Sequence, residues 1–164
     1  MSPEAFELAR RVVELGTQGG ITVGAVESCT GGLVCAALTE VPGSSAVLRG
    51  GVVSYDPAIK HEVVGVSQEV IDAPGVGVVS AECAEQMASG GRSLLTCDLC
   101  VSVTGIAGPG GEEPGKPVGT VWFGFSSKAG ERSVLEHFEG SRSEVREQAV
   151  LRALTLLCEG IENF

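Results

Sequence analysis

A chain of 164 residues, 43% hydrophobic and 20% charged, has the size and composition of one domain that buries its own core. Its formal net charge of −10 excludes the broad basic footprint that a phosphate backbone requires, so nucleic acid is not an expected partner. No apolar run approaches the roughly 18 residues of a membrane span, so no membrane partner is expected either.

Ser2-Pro3-Glu4 predicts a helix start; Phe6, Ala9 and Val13 with Leu8, Val12 and Leu15 form one broad apolar face, and the helix is expected to end at Gly16. An apolar β-like run, Ile21 to Val26, then breaks without a linker into Glu27-Ser28-Cys29-Thr30-Gly31-Gly32 and a helix from Leu33 to Leu38. After a turn at Val41 to Ser45, a second strand covers Val47 to Ser54; its Gly50-Gly51 pair suggests a bulge or a close backbone approach. Tyr55 closes that strand, and Asp56-Pro57 caps a helix from Ala58 to Val64, which places Lys60 in the first turn. A brief helix at Ser67 to Ile71 and a Gly-rich hinge at Ala73 to Gly77 precede a helix capped by Ser80 and running to Leu95.

Leu99 to Thr104 reads as a buried strand that opens into a Gly/Pro-rich loop at Gly105 to Pro117. Strands at Val118 to Ser126 and Ser133 to Phe138 flank the turn Lys128-Ala129-Gly130 as a hairpin. Ser141-x-x-Glu144 is a capping box for a last helix with Val145, Ala149, Ala153 and Leu156/Leu157 on one stripe. Helices and strands alternate first and a hairpin comes late. The fold class is therefore α/β, a single three-layer α/β/α domain with a mixed sheet.

Six cysteines (29, 35, 83, 97, 100 and 158) follow a start without a secretory leader, which reads as a cytoplasmic protein with free thiols. Cys97-x-x-Cys100 has half the spacing of a zinc site, yet no second pair accompanies it and a β-like run points the two to opposite faces. No metal is expected. Gly110-x-x-x-x-Gly115-Lys116 superficially matches a phosphate-binding loop, but Pro117 stands where the magnesium-binding hydroxyl belongs and a strand follows instead of a helix. Tyr55 and Lys60 are one residue too far apart for the Tyr/Lys pair of hydride-transfer enzymes, and no Gly-x-Gly-x-x-Gly opens the chain. No cofactor is expected.

The turn at Ser28 is where chemistry is expected, because a strand entering a helix directly presents hydroxyls and free N–H groups at a helix N-terminus. Ser and Thr are also ordinary N-caps and Gly-Gly an ordinary turn, so both readings stand at this point. His61 and His137 are poorly placed for a relay to Ser28, which leaves a lysine of lowered pKa as its base. Lys60 is the candidate, its charge disfavoured by the helix dipole in a first turn, although most lysines are solvated. Tyr55 can hydrogen-bond the Lys or the Ser, or simply pack. Thr104-Gly105 ends a buried strand at the long loop and can face a ligand. Arg142 starts the last helix and Arg146 lies one turn on; both can meet an anion there, and Arg146 reads more readily as an ordinary solvated side chain. Cys29 beside a helix N-terminus and a Lys is a rival nucleophile.

As a set and in order, Ala25 to Gly32, Val41 to Ser45, Gly50 to Tyr55 with Lys60, Thr104 to Gly111 and Lys116 to Val121 closely resemble the CinA C-terminal domain family across nearly the whole chain. The resemblance implies a stand-alone amidase that converts nicotinamide mononucleotide to nicotinic acid mononucleotide and ammonia in pyridine-nucleotide salvage. It also implies a mixed α/β/α fold, a homo-oligomer and no metal. By position it implies Ser28 as nucleophile, Lys60 as base, Tyr55 and Thr104 as supporting groups and Arg142 as a substrate contact. Backbone around Cys29, Thr30, Gly31 and Gly32 and around Gly105 to Gly108 is then available for oxyanion or phosphate. The chain departs from the family at Val26, usually Ala, and at Ser141, usually Asp. The rival reading is a non-catalytic module that binds a nucleotide or a protein partner.

Overall fold

Strand β1 (Val23–Glu27) is buried at every position, so it must be covered on both faces. The computed structural model describes residues 2–164, and in chain order its elements are α1 (Pro3–Gly19), β1, α2 (Leu33–Thr39), a 3-10 turn at Ser44–Ala46, β2 (Leu48–Val53), α3 (Pro57–Glu62), α4 (Gln68–Asp72), α5 (Ala81–Leu95), β3 (Leu99–Gly105), β4 (Thr120–Ser127), β5 (Gly130–His137) and α6 (Arg142–Glu162). The five strands form one sheet in the order β2-β1-β3-β4-β5. Strands β2, β1 and β3 are parallel, while β4 and β5 run antiparallel as the expected hairpin. The result is a single α/β/α domain with a mixed sheet.

Alternation along the strands sorts side chains between two cores. Val23 and Ala25 of β1 and Leu99, Val101 and Val103 of β3 join the cluster under α1, α2 and α6. Val26 and Cys100 point the other way, into a smaller cluster with Cys83 and Met87 of α5. Helix α5 approaches the sheet closely because its contact face is small: Gly91 lies against Val26 and Cys100, and Ser102 Oγ donates to the Ala84 carbonyl across 2.6 Å.

Four local expectations are corrected. Helix α1 does not stop at Gly16 but runs to Gly19 with Gly20 as its left-handed cap; a Cβ on Gly16 would lie 2.5 Å from Val47 Cγ1, so that glycine marks a close contact. Strand β5 starts at Gly130, because a tight turn at Lys128-Ala129 lets Ser127 pair with Gly130. Cys97 and Cys100 share one cluster, since Cys97 precedes β3 and the two-residue alternation does not reach it. Lys60 lies in the last turn of a six-residue α3, not in the first turn of a longer helix. The Gly50-Gly51 expectation holds in both forms: the β1/β2 register slips between Val23 and Gly24, and a Cβ on Gly51 would sit 2.2 Å from Cys35 Sγ. No helix is long and apolar enough to cross a membrane among the described residues.

Candidate active site

Ligands of open α/β sheets bind beyond the carboxyl ends of the parallel strands, where the strand order reverses. Here that crevice lies between β1 and β3, and the ladder continues one residue past β1: Ser28 N donates to Val103 O across 2.9 Å and Ser54 N to Glu27 O across 2.8 Å. These two bonds set the end of β1 between Ser54 and Val103. The chain then reverses through Gly31 and Gly32, both at positive φ (62° and 98°), a conformation that a side chain would strain.

Directly over that turn, Lys60 reaches in from α3 with only 1% of its surface exposed. Its Nζ lies 2.9 Å from Ser28 Oγ, 2.6 Å from Ser54 O and 3.3 Å from Tyr55 O. No carboxylate is among these partners, and burial drives the lysine pKa below its ordinary value. Desolvation thus does what the helix dipole was expected to do. The two carbonyls can only accept. A neutral amine therefore donates its two N–H bonds to Ser54 O and Tyr55 O, which leaves its lone pair facing the Ser28 hydroxyl.

A cavity of about 190 Å³ opens onto this pair, lined by Ser28, Cys29, Tyr55, Lys60, Val78, Val79, Thr104, Gly105, Ala107 and Arg142. The structure thus gathers Ser28, Lys60, Tyr55, Thr104, Cys29, Gly105 and Arg142 in one hollow. Tyr55 meets Lys60 through its carbonyl, while its phenol lies 3.2 Å from Arg142 Nη2. Thr104 Oγ1 donates to Val78 O across 2.7 Å and so holds one wall in place. Gly105 is glycine because of β4, since a Cβ there would lie 2.7 Å from Thr120 O. Gly108 contributes its carbonyl, which accepts from Arg142 Nη1 at 2.8 Å. His61 and His137 bond to Val66 O and Thr120 Oγ1, away from Ser28.

Gly31 and Gly32, expected to offer N–H groups to a ligand, engage them within the protein. Gly31 N donates to Ser28 O, and Gly32 N donates to the carboxylate of Glu27. Glu27 is 1% exposed and also accepts from Val34 N and Cys35 N. One carboxylate therefore occupies the N-terminus of α2. Among the described residues, the backbone N–H groups of the turn after Ser28 that remain without a hydrogen-bond acceptor are those of Cys29 and Thr30; Cys29 lines the cavity, whereas Thr30 is fully buried and does not. Burial pushes the Cys29 thiol up to about 11, so it stays protonated near neutral pH.

Sequence reasoning gave Glu27 no role, and gave Arg146 only a candidate anion contact beside Arg142, with a solvated side chain the favoured reading. A charged residue closing an otherwise apolar strand, one step before a helix entry, was the available signal for Glu27. Arg146 is not a free surface side chain: Nε donates to Cys29 O across 2.9 Å and Nη2 to Thr30 O across 3.1 Å. Ser141, where the family usually has Asp, caps α6 in a reciprocal box with Glu144, a position that Ser and Asp fill equally well.

Residues 5–161 match the CinA C-terminal domain. The chain is 45% identical over 146 residues to the nicotinamide-nucleotide amidohydrolase PncC of Enterobacter agglomerans, covering 88% of each protein. It is 43% identical over 163 residues to a CinA-like protein of Leptospira borgpetersenii, covering 99% of this chain but spanning only 38% of that relative's length. Among solved structures, a competence-damaged protein (CinA) superfamily protein of Klebsiella pneumoniae 700603 superposes with a TM-score of 0.92 at 32% identity, covering 98% of this chain and 99% of that one. A competence/damage inducible protein of Agrobacterium tumefaciens gives 0.90 at 38% identity, with 99% and 98% covered. The chain belongs to the CinA C-terminal domain family.

Proposed function

We propose that the chain is an amidohydrolase that converts nicotinamide mononucleotide to nicotinic acid mononucleotide and ammonia through a serine–lysine pair. The observation that carries this reading is the 2.9 Å contact between a buried lysine amine and Ser28 Oγ, with only carbonyls as the amine's other partners. The amidohydrolase name of the Enterobacter relative supports the substrate.

In this mechanism Ser28 Oγ attacks the carboxamide carbon while Lys60 Nζ takes its proton. The carbonyl oxygen becomes an oxyanion, stabilised by the N–H group of Cys29, which lines the cavity. The C–N bond then breaks, Lys60 returns the proton to the leaving nitrogen as ammonia departs, and an ester on Ser28 remains. Water attacks that ester, giving its proton to Lys60; collapse releases the carboxylic acid and Ser28 recovers its hydroxyl proton. No step needs a metal or a redox partner.

The cavity, about 190 Å³, is smaller than the roughly 300–1,000 Å³ of typical small-molecule sites. It takes the carboxamide end, while the sugar phosphate lies at the mouth beside Tyr55 and the Arg142 guanidinium. Purified protein mixed with nicotinamide mononucleotide and assayed for ammonia tests the reading. Turnover that disappears in Ser28→Ala is the expected result. Saturable binding without ammonia release refutes it and favours the non-catalytic module.

A further inference from the structure

We infer that Arg146 is a positioning residue for acyl transfer, holding the Cys29–Thr30 and Thr30–Gly31 peptide units and with them the turn that carries Ser28 and Cys29. The inference rests on the amidase reading of the site. Arg146 makes no ion pair among the described residues; its guanidinium instead grips the carbonyls of Cys29 and Thr30, 2.9 and 3.1 Å away.

The Cys29 carbonyl belongs to the same peptide unit as the Thr30 N–H. A cation on that oxygen fixes the plane of this unit, and with it the backbone that carries the cavity-lining Cys29. The second bond, to Thr30 O, holds the next unit, Thr30–Gly31, so that neither unit rotates alone. Glu27 clamps the same turn from the opposite side through Gly32, Val34 and Cys35. Between an anion on its N–H groups and a cation on its carbonyls, the turn that presents the Cys29 N–H is held in place. A Cβ built on Gly31 would come within 3.5 Å of Arg146 Nη2, so the guanidinium packs directly on the turn.

Such donors strengthen as charge develops on the substrate oxygen, so their loss falls on kcat and not on KM. Removing a whole oxyanion donor costs about 10²–10³ in rate; releasing the backbone that positions one, with the donor still present, is expected to cost roughly 10- to 100-fold.

The test compares wild type, Arg146→Gln, Arg146→Lys and Arg146→Ala, with Ser28→Ala as a blank. Two rates are read: ammonia release from nicotinamide mononucleotide, and acetylation of Ser28 by p-nitrophenyl acetate followed by intact-protein mass. The second does not depend on the natural substrate. Arg146→Gln is expected to lower kcat and acetylation together by roughly 10- to 100-fold with KM within about twofold. Arg146→Lys, able to reach one carbonyl but not both, falls between. Arg146 also lines an open groove of about 350 Å³ with Glu40 and Glu147, so Arg146→Ala leaves a slot for a small cation. Millimolar methylguanidinium is expected to restore part of the Arg146→Ala rate and to leave wild type unchanged.

Acetylation within about twofold of wild type in Arg146→Gln overturns the inference, as does a loss confined to KM. Should Arg146→Gln fail to fold, Arg146→Lys and the rescue carry the same decision. If wild type is acetylated at Ser28 but releases no ammonia, the amidase reading falls, and the acetylation ratio still decides on Arg146. Absence of acetylation in wild type overturns the inference as well.

Discussion

Lys60→Met separates the chemistry of the buried amine from its place in the fold. Met keeps a flexible chain in the same pocket and removes the nitrogen. Without a base, Ser28 must lose its proton to water, and positioned general bases are worth about 10²–10⁴ in rate. The midpoint, about 10³, corresponds to roughly 4 kcal/mol at about 1.4 kcal/mol per decade. Stability changes less, because the contributions oppose one another. Ser54 O loses the 2.6 Å bond that satisfied it, a cost of about 1–3 kcal/mol for a buried acceptor. Burial of an apolar side chain contributes about 1.5–3 kcal/mol in return, and the penalty for burying an amine disappears. The net change is expected within about 2 kcal/mol, which shifts the thermal midpoint of a domain this size by no more than about 8 °C.

A coupled ammonia assay and thermal unfolding of the same preparations read both quantities. Lys60→Arg is the companion: it keeps a cation and donors but cannot become neutral, so it is expected to be as inactive as Lys60→Met. The pH profile completes the test. In the proposed mechanism the active base is the neutral amine, so kcat/KM is expected to rise with pH through the lowered lysine pKa and to level off above it. Between that lowered value and the ordinary lysine value near 10.4, the unfolded chain binds more protons than the folded one, so stability rises with pH. Lys60→Met loses both rises. A folded Lys60→Met that retains more than about a tenth of wild-type kcat/KM refutes the assignment of Lys60 as base.

Further tests probe the turn and its supports. Cys29→Ala is expected to stay active within about threefold, since the thiol pushed up to about 11 is neutral under assay conditions, whereas Ser28→Ala is inactive; the reverse pattern makes the thiol the nucleophile. Glu27→Ala leaves the N–H groups of Gly32, Val34 and Cys35 unpaired in a buried place, and is expected to cost about 3 kcal/mol or more, a midpoint drop of roughly 6–12 °C by calorimetry. Gly51→Ala drives a methyl to 2.2 Å from Cys35 Sγ and is expected to destabilise by about 1–3 kcal/mol. Cys35→Ala in the same chain removes the clash, so a double-mutant cycle in urea shows coupling of about 1 kcal/mol or more; strict additivity contradicts the packing argument.

Where hydrophobic period and turn chemistry act locally, the fold is legible in the residues. The buried β1 run, the Ser80 and Ser141 caps and the β4/β5 hairpin all follow from neighbours in the chain. What escaped reading depends on contacts between distant segments. Gly16 reads as a stop because nothing nearby reveals Val47, which arrives from 31 residues on and needs the missing side chain. Helix α5 is legible from its Ser80 cap to Leu95, but its seat is not: Ala84, Ala88 and Gly91 permit close approach to β1, β3 and β4. The short α3 is similar. Its length is set by Val66 N bonding back to Lys60 O, a bond that belongs to the following loop.

For the site, residue types were legible and the state of each backbone group was not. A strand that turns straight into a helix suggests a vacant N-terminus for an anion, but Glu27 fills that place from inside the protein. The consequence for substrate binding is electrostatic. With the α2 terminus neutralised by a carboxylate, and burial disfavouring charge on Lys60, both groups are weakened as attractors of a phosphate. The chain as a whole carries −10 and repels one at long range. Among the residues lining the cavity, Arg142 is then the cation left to meet an anionic group, and it stands at the mouth between Tyr55 and Gly108 and not at the reacting end. In the proposed mechanism that separation keeps a bound phosphate away from the amine that acts as base. A phosphate drawn to the inner end would raise the Lys60 pKa, protonate the amine and remove the lone pair on which attack by Ser28 depends.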